Sequence, residues 1–111
     1  MTGALIVRLL RARVSPPRVA AFDALFRSQV DLIREQPGIK YVRFVRRILP
    51  DGSEDAVLFE EWADLSSMYA WVGPNLTEPR LIPGVRQVVE SLEIVHFEVL
   101  DDPPVAQEAS P

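Results

Sequence analysis

Apolar and polar positions recur along this chain in two rhythms, and each change of rhythm marks an element. Ala4 to Arg13, ALIVRLLRAR, is a short apolar stretch that predicts a first strand. Ser15-Pro16-Pro17 follows, with Ser15 placed as an N-cap and Pro16 at the first helical position. Val19, Phe22, Phe26, Val30 and Ile33 then recur every three or four residues. Arg18, Asp23, Arg27, Asp31 and Arg34 lie mostly between them. That spacing predicts a helix with one buried stripe, and Pro37-Gly38 ends it. Ile39 to Leu49 is rich in β-branched and aromatic residues and predicts a second strand. Pro50-Asp51-Gly52-Ser53 turns it into a third strand over Ala56 to Trp62, so the two form a hairpin.

The stretch Val57 to Gly73, VLFEEWADLSSMYAWVG, is the most informative. An apolar strand ends at Trp62, Asp64 caps a second helix, and Gly73-Pro74 stop it. Leu65, Met68, Tyr69 and Val72 form the expected apolar stripe of that helix, with Trp71 beside it. Asn75 to Gly84 reads as an irregular loop and Val85 to Ser91 as a short helix. Leu92 to Leu100, LEIVHFEVL, closes the pattern as the last strand. The order is β-α-β-β-α-β, which predicts an α+β, ferredoxin-like fold with a four-stranded antiparallel sheet. Helices cover one face of such a sheet. The last strand is apolar on both faces, with Val95, Phe97 and Val99 opposite Leu92, Ile94 and Leu100. Both faces therefore need cover, which predicts a homodimer with a pocket between its sheets.

Composition narrows the function classes. The 111 residues suit one domain, here 1–100, followed by a polar, proline-containing tail, 101–111, expected to be disordered. With no cysteine, disulfides and thiol chemistry are excluded. Net charge is −4, but three of the acids lie in the tail, leaving thirteen acids and twelve bases in residues 1–100. A nearly neutral domain argues against a nucleic-acid partner. Arg8 breaks the first apolar run well short of a membrane span or a secretory leader, so a cytoplasmic protein is expected. One histidine and scattered carboxylates give no metal-ligand spacing, and no metal or other cofactor is expected.

The chain resembles the antibiotic biosynthesis monooxygenase family, of the dimeric α+β barrel superfamily. Carrying the resemblance are Pro37-Gly38-Ile39, Phe59-Glu60-Glu61-Trp62-Ala63-Asp64, Trp71 and Val95-His96-Phe97-Glu98, within roughly residues 4–100. The resemblance implies a dimeric α+β barrel. The family includes cofactor-independent oxygenases of aromatic polyketides, quinol oxidases and haem-degrading members. The haem-degrading branch uses a first-strand asparagine and a histidine in the helix after the strand-end tryptophan. Trp62 matches that tryptophan, but the first strand has no asparagine and Leu65 to Gly73 no histidine. The expected activity is thus a cofactor-independent monooxygenase acting on a small, apolar, aromatic, polyketide- or quinol-like substrate. A non-catalytic ligand-binding or stress-associated barrel is the alternative, and a polyketide cyclase-like barrel a third.

Candidate chemistry rests on few residues. Trp62 offers a flat face for an aromatic ligand, against the plainer role of a core residue at a strand end. Trp71, Tyr69 and Asn75 are further substrate-binding candidates, more simply read as packing, core and loop residues. His96 has an ordinary pKa near neutrality and could take a phenolic proton. Glu60 shares its strand face with Leu58 and Trp62, and burial there would raise its pKa into a useful range. Arg8, Arg43, Arg46 and Arg47 could hold an anionic substrate at a pocket mouth. Strand alternation puts Arg43 and Arg47 on one face and Arg46 on the other. Proton transfer between the sheets requires Trp62, Glu60 and His96 to point there. If His96 and Glu60 face the helices or bulk water instead, that proton-transfer hypothesis fails and the binding barrel becomes the better reading.

Overall fold

Strands and helices form where the two rhythms place them, with shifts at the ends that proline and burial explain. The computed structural model describes residues 5–73 and 84–101. The elements are β1 (Ile6–Val14), a 3-10 turn (Pro16–Arg18), α1 (Val19–Arg34), β2 (Ile39–Ile48), β3 (Glu54–Trp62), α2 (Leu65–Val72), α3 (Val85–Val88) and β4 (Ser91–Glu98). The sheet runs β2-β3-β1-β4, every neighbouring pair antiparallel. This is the α+β, ferredoxin-like arrangement that the element order predicts. Asn75 and most of the tail lie outside the described residues.

Four local expectations need correction. Ser15 makes no side-chain cap. Pro16 and Pro17 have no N–H to offer it, and the Arg18 N–H goes to the Ser15 carbonyl at 2.9 Å instead. A 3-10 turn therefore intervenes and α1 starts only at Val19. β3 begins two residues earlier than the apolar run, because Glu54 and Asp55 pair with both neighbouring strands. The last helix is one turn, Val85–Val88, and the chain is back in the sheet by Ser91. On α2 the buried residues are Met68 and Trp71, whereas Leu65 and Tyr69 are 49% and 41% exposed. The helix is thus rotated from the expected stripe, and Tyr69 is not a core residue.

Asp64 does cap α2: its carboxylate accepts the Ser67 N–H at 2.8 Å. Gly38, at φ +88°, lets the chain leave α1 flush against that helix, where a β-carbon would overlap the Ser67 side chain. Its carbonyl accepts the Ala63 N–H at 2.8 Å, tying the α1–β2 turn to the end of β3.

Helices cover the even-numbered face of β1, β3 and β4. Leu10 and Leu58 meet Phe22, Phe26, Val30 and Ile33 of α1 in one buried cluster that also contains Trp62 and Trp71. Phe22 and Phe26 stack at 4.5 Å between centroids, and Phe44 of β2 sits 5.2 Å from Phe26. No described helix covers the opposite face. Leu9, Val57, Phe59 and Val95 lie half-buried there, while Tyr41, Val45 and Phe97 are 44%, 50% and 51% exposed. No described helix is long and apolar enough to cross a membrane.

Candidate functional site

Ionisable groups are rare in a small apolar interior because burial removes the water that stabilises their charge. This interior holds several in one row. The strand register places Val42, Glu60, Arg8 and His96 side by side across β2, β3, β1 and β4, on the helix-covered face. Arg8 and Glu60 are each 1% exposed and Trp62 is fully buried. The Trp62 Nε1–H donates to Glu60 Oε1 at 3.0 Å. Arg8 Nε stands 4.0 Å from the same oxygen, and Arg8 Nη1 is 2.7 Å from His96 Nε2.

The electrostatics follow from that enclosure. Desolvation pushes the Glu60 carboxyl up to about 7, against the opposing pull of the Trp62 hydrogen bond and the Arg8 charge. Desolvation also lowers His96, and the Arg8 charge lowers it further. Burial lowers Arg8 from its ordinary value, with Glu60 opposing. The result is a carboxyl poised near neutrality beside a neutral imidazole and an indole face.

The row unites three of the residues singled out in the sequence, Trp62, Glu60 and His96. It does so in a different place from the one expected: they face the helices, so none of them lines a pocket between two sheets, and proton transfer in such a pocket fails. Parity fixes this, because α1 covers the face bearing Leu58, and Glu60 and Trp62 share it. Trp71 lies in the same buried cluster, reached from α2. Tyr69 points outward, and Asn75 is outside the described residues. Arg8 is the residue most misplaced by sequence reasoning. It lies at the centre of the site rather than at a mouth. Its signal was an arginine in phase with Ile6, Leu10, Ala12 and Val14, the inward positions of the first strand. Gln29, buried on the α1 stripe, drew no notice in the sequence.

Two other polar clusters flank the sheet. On the uncovered face Asp55 accepts from Arg11 at 2.9 and 3.0 Å and from Arg47 at 2.9 Å, which holds its carboxyl well below the usual range. On the covered face Arg46 lies 3.3 Å from Glu54 and 3.5 Å from Asp23. Burial, then the Asp23 hydrogen bond, push Glu54 up to about 7. Arg43 and Arg47 thus occupy one face and Arg46 the other, as alternation requires. No group of three or more metal-ligating side chains occurs among the described residues. Surface depressions of about 280, 250 and 390 Å³ lie at the β2 edge, where Val42 is among the lining residues, between Pro37 and α2, and beside Arg11 and Arg13; none is lined by Glu60, Arg8 or His96.

Residues 5–75 match the family profile for antibiotic biosynthesis monooxygenase. The chain belongs to the antibiotic biosynthesis monooxygenase family. Solved structures of the same fold include a conserved protein from Methanosarcina mazei, with 18% identity, TM-score 0.68, and 85% of this chain and 91% of that one covered. Another is SnoaB, a cofactor-independent oxygenase from Streptomyces nogalater in a mutant form, with 18% identity, TM-score 0.66, and 92% and 99% covered. A Mycobacterium tuberculosis protein matches with 18% identity, TM-score 0.67, and 89% and 98% covered. No curated protein matches the sequence. At these identities the solved structures establish the family fold, and the chemistry must be argued from the row itself.

Proposed function

We propose that this family member is a cofactor-independent monooxygenase. On this reading it takes a small, largely apolar, aromatic substrate between the sheet and the helices and moves a proton within the Glu60–Arg8–His96 row. The observation that carries the reading is a carboxyl 1% exposed yet poised near neutrality, hydrogen-bonded to the indole of Trp62. A base there takes the proton of a phenol or an activated carbon. The resulting anion can give an electron to dioxygen; one oxygen atom then becomes a carbonyl of the product and the other leaves as water with the two hydrogens removed. The description of SnoaB as a cofactor-independent oxygenase supports this reading. Because Glu60 and Trp62 are closed to solvent, substrate entry requires the helix layer to part from the sheet.

Oxygen uptake over a panel of hydroquinones and phenolic ketones tests the reading. Uptake by the native chain is expected. A loss of ~10²–10⁴-fold is expected in Glu60→Gln or His96→Ala, whichever group is the base. No uptake across the panel would overturn it.

A second reading, a non-catalytic binding barrel, is favoured by two observations: Glu60 and His96 face the helices, and both already have partners inside the chain. It predicts saturable quenching of tryptophan fluorescence by the same compounds without oxygen uptake. Under either reading we infer that a second copy covers the uncovered face, where Tyr41, Val45 and Phe97 stand exposed around a half-buried apolar centre.

A further inference from the structure

We propose that Arg8 is a positioning residue that fixes His96 as the neutral tautomer with its proton on Nδ1, leaving Glu60 as the proton acceptor of the buried row. This rests on the oxygenase reading for its consequence, but not for its geometry.

The step from distance to tautomer uses only the chemistry of the two groups. A guanidinium carries five N–H donors and no acceptor. Arg8 Nη1 stands 2.7 Å from His96 Nε2. A nitrogen that accepts at that distance presents its lone pair, so Nε2 is unprotonated and a neutral ring carries its hydrogen on Nδ1. Protonating Nε2 would place two donors face to face beside a buried cation. Nε2 is therefore closed as a base while Arg8 is in place.

Few charged groups among the described residues bear on this pair. Across the sheet His96 faces Arg8 on β1, with Glu60 one strand further on β3. Glu98, two residues along its own strand, is exposed. The buried side chains of α1, α2 and α3 are apolar apart from the amide of Gln29 and the indole N–H of Trp71. Among the described residues the only carboxylate buried in the row is thus Glu60, whose Oε1 lies 4.0 Å from Arg8 Nε. The same guanidinium blocks the imidazole at Nε2 and favours ionisation of the carboxyl, which divides the proton chemistry between two groups that could otherwise compete.

His96 is the only histidine in the chain, so long-range ¹H–¹⁵N correlation spectra report it without ambiguity. In the native protein the expected spectrum shows a pyridine-like Nε2 and a protonated Nδ1, with titration below the ordinary 6.5. Arg8→Met should release Nε2, shift the population toward the Nε2–H tautomer and raise the histidine pKa toward 6.5. Arg8→Lys, which keeps a donor cation, should restore the Nδ1–H form. Where uptake is measurable, the acid limb of its pH profile should move up in Arg8→Met, as Glu60 loses the charge that favours its ionised form. A protonated Nε2 in the native protein, or an unchanged tautomer and titration in Arg8→Met, would overturn the proposal. If Arg8→Met fails to fold, the native spectrum alone still decides. Absence of oxygen uptake with the Nδ1–H tautomer present would instead count against the oxygenase reading.

Discussion

Replacing Trp62 by phenylalanine removes one donor and part of the volume of a fully buried indole. Beyond that packing loss, which is the same at every pH, Glu60 Oε1 loses its 3.0 Å partner. A hydrogen bond to a carboxylate is worth about 1.5–3 kcal/mol, so the variant should lose roughly that amount at pH 8 in addition to the packing loss. Near pH 5, where Glu60 is largely protonated, the loss should be smaller. Urea titration of both proteins at the two pH values checks this; an equal loss at both would mean that the indole contributes packing alone. An aromatic ligand seated on Trp62 should bind Trp62→Phe more weakly by about 1 kcal/mol. Much of this site was legible residue by residue. Trp62, Glu60 and His96 stood out by type and strand phase, and the elevation of Glu60 follows from the inward parity that it shares with Leu58. Arg8 was visible as a charge interrupting an apolar run and as a candidate for a pocket mouth, not as the centre of the site. Its pairing with His96 spans 88 residues of sequence and depends on β1 lying between β3 and β4, which no local pattern records.

Elements were legible wherever periodicity and turn chemistry agreed, and blurred where tertiary packing chose between near-equal faces. α1 follows its stripe, whereas α2 buries Met68 and Trp71 because a short helix with apolar residues on most sides takes its orientation from what it meets. One contact that sets this orientation is Gly38 against Ser67. Gly38→Ala combines a positive φ with overlap onto the Ser67 side chain, and should lower stability by about 1–3 kcal/mol. Adding Ser67→Gly should recover the steric part and leave the backbone part. Full additivity in that double-mutant cycle would show that the two residues do not press on each other. The same elements bear on haem. β1, IVRLLRARV, has no asparagine and α2, LSSMYAWV, no histidine to ligate iron. Titrated haem should therefore bind weakly and without fixed stoichiometry. A Soret shift saturating at one haem per chain, followed by reductant-dependent ring opening, would contradict this.

Two properties belong to the whole molecule, its dependence on pH and its association with a second copy. Glu54 and Glu60 are both raised from 4.5 to about 7 in the folded chain. A carboxyl with a raised folded pKa binds more protons folded than unfolded between those two values, so stability falls as pH rises from about 4.5 to about 7. Each pKa unit corresponds to 1.36 kcal/mol, giving up to roughly 3 kcal/mol per group. His96, lowered in the fold, acts in the opposite sense just under its ordinary 6.5, one group against two. Asp51, Asp55 and Asp64 are lowered and titrate below this window. Thermal melts should therefore peak near pH 4.5–5 and decline toward pH 8, and Glu60→Gln should flatten the slope. A melting temperature that rises steadily from pH 5 to 8 would mean that these carboxyls ionise freely. The proposed association rests on the uncovered sheet face. Its centre is apolar, and Arg11, Asp55 and Arg47 form a mutually satisfied ion cluster toward one end, so a self-complementary contact can bury the centre and leave that charge wet. Sedimentation at micromolar concentration should give twice the 12.5 kDa chain mass. Phe97→Glu should place a charge on the apolar centre and shift the equilibrium to monomer while preserving the helical signal. A stable native monomer would remove the second copy from the account, leaving the buried row, which lies on the other face, untouched.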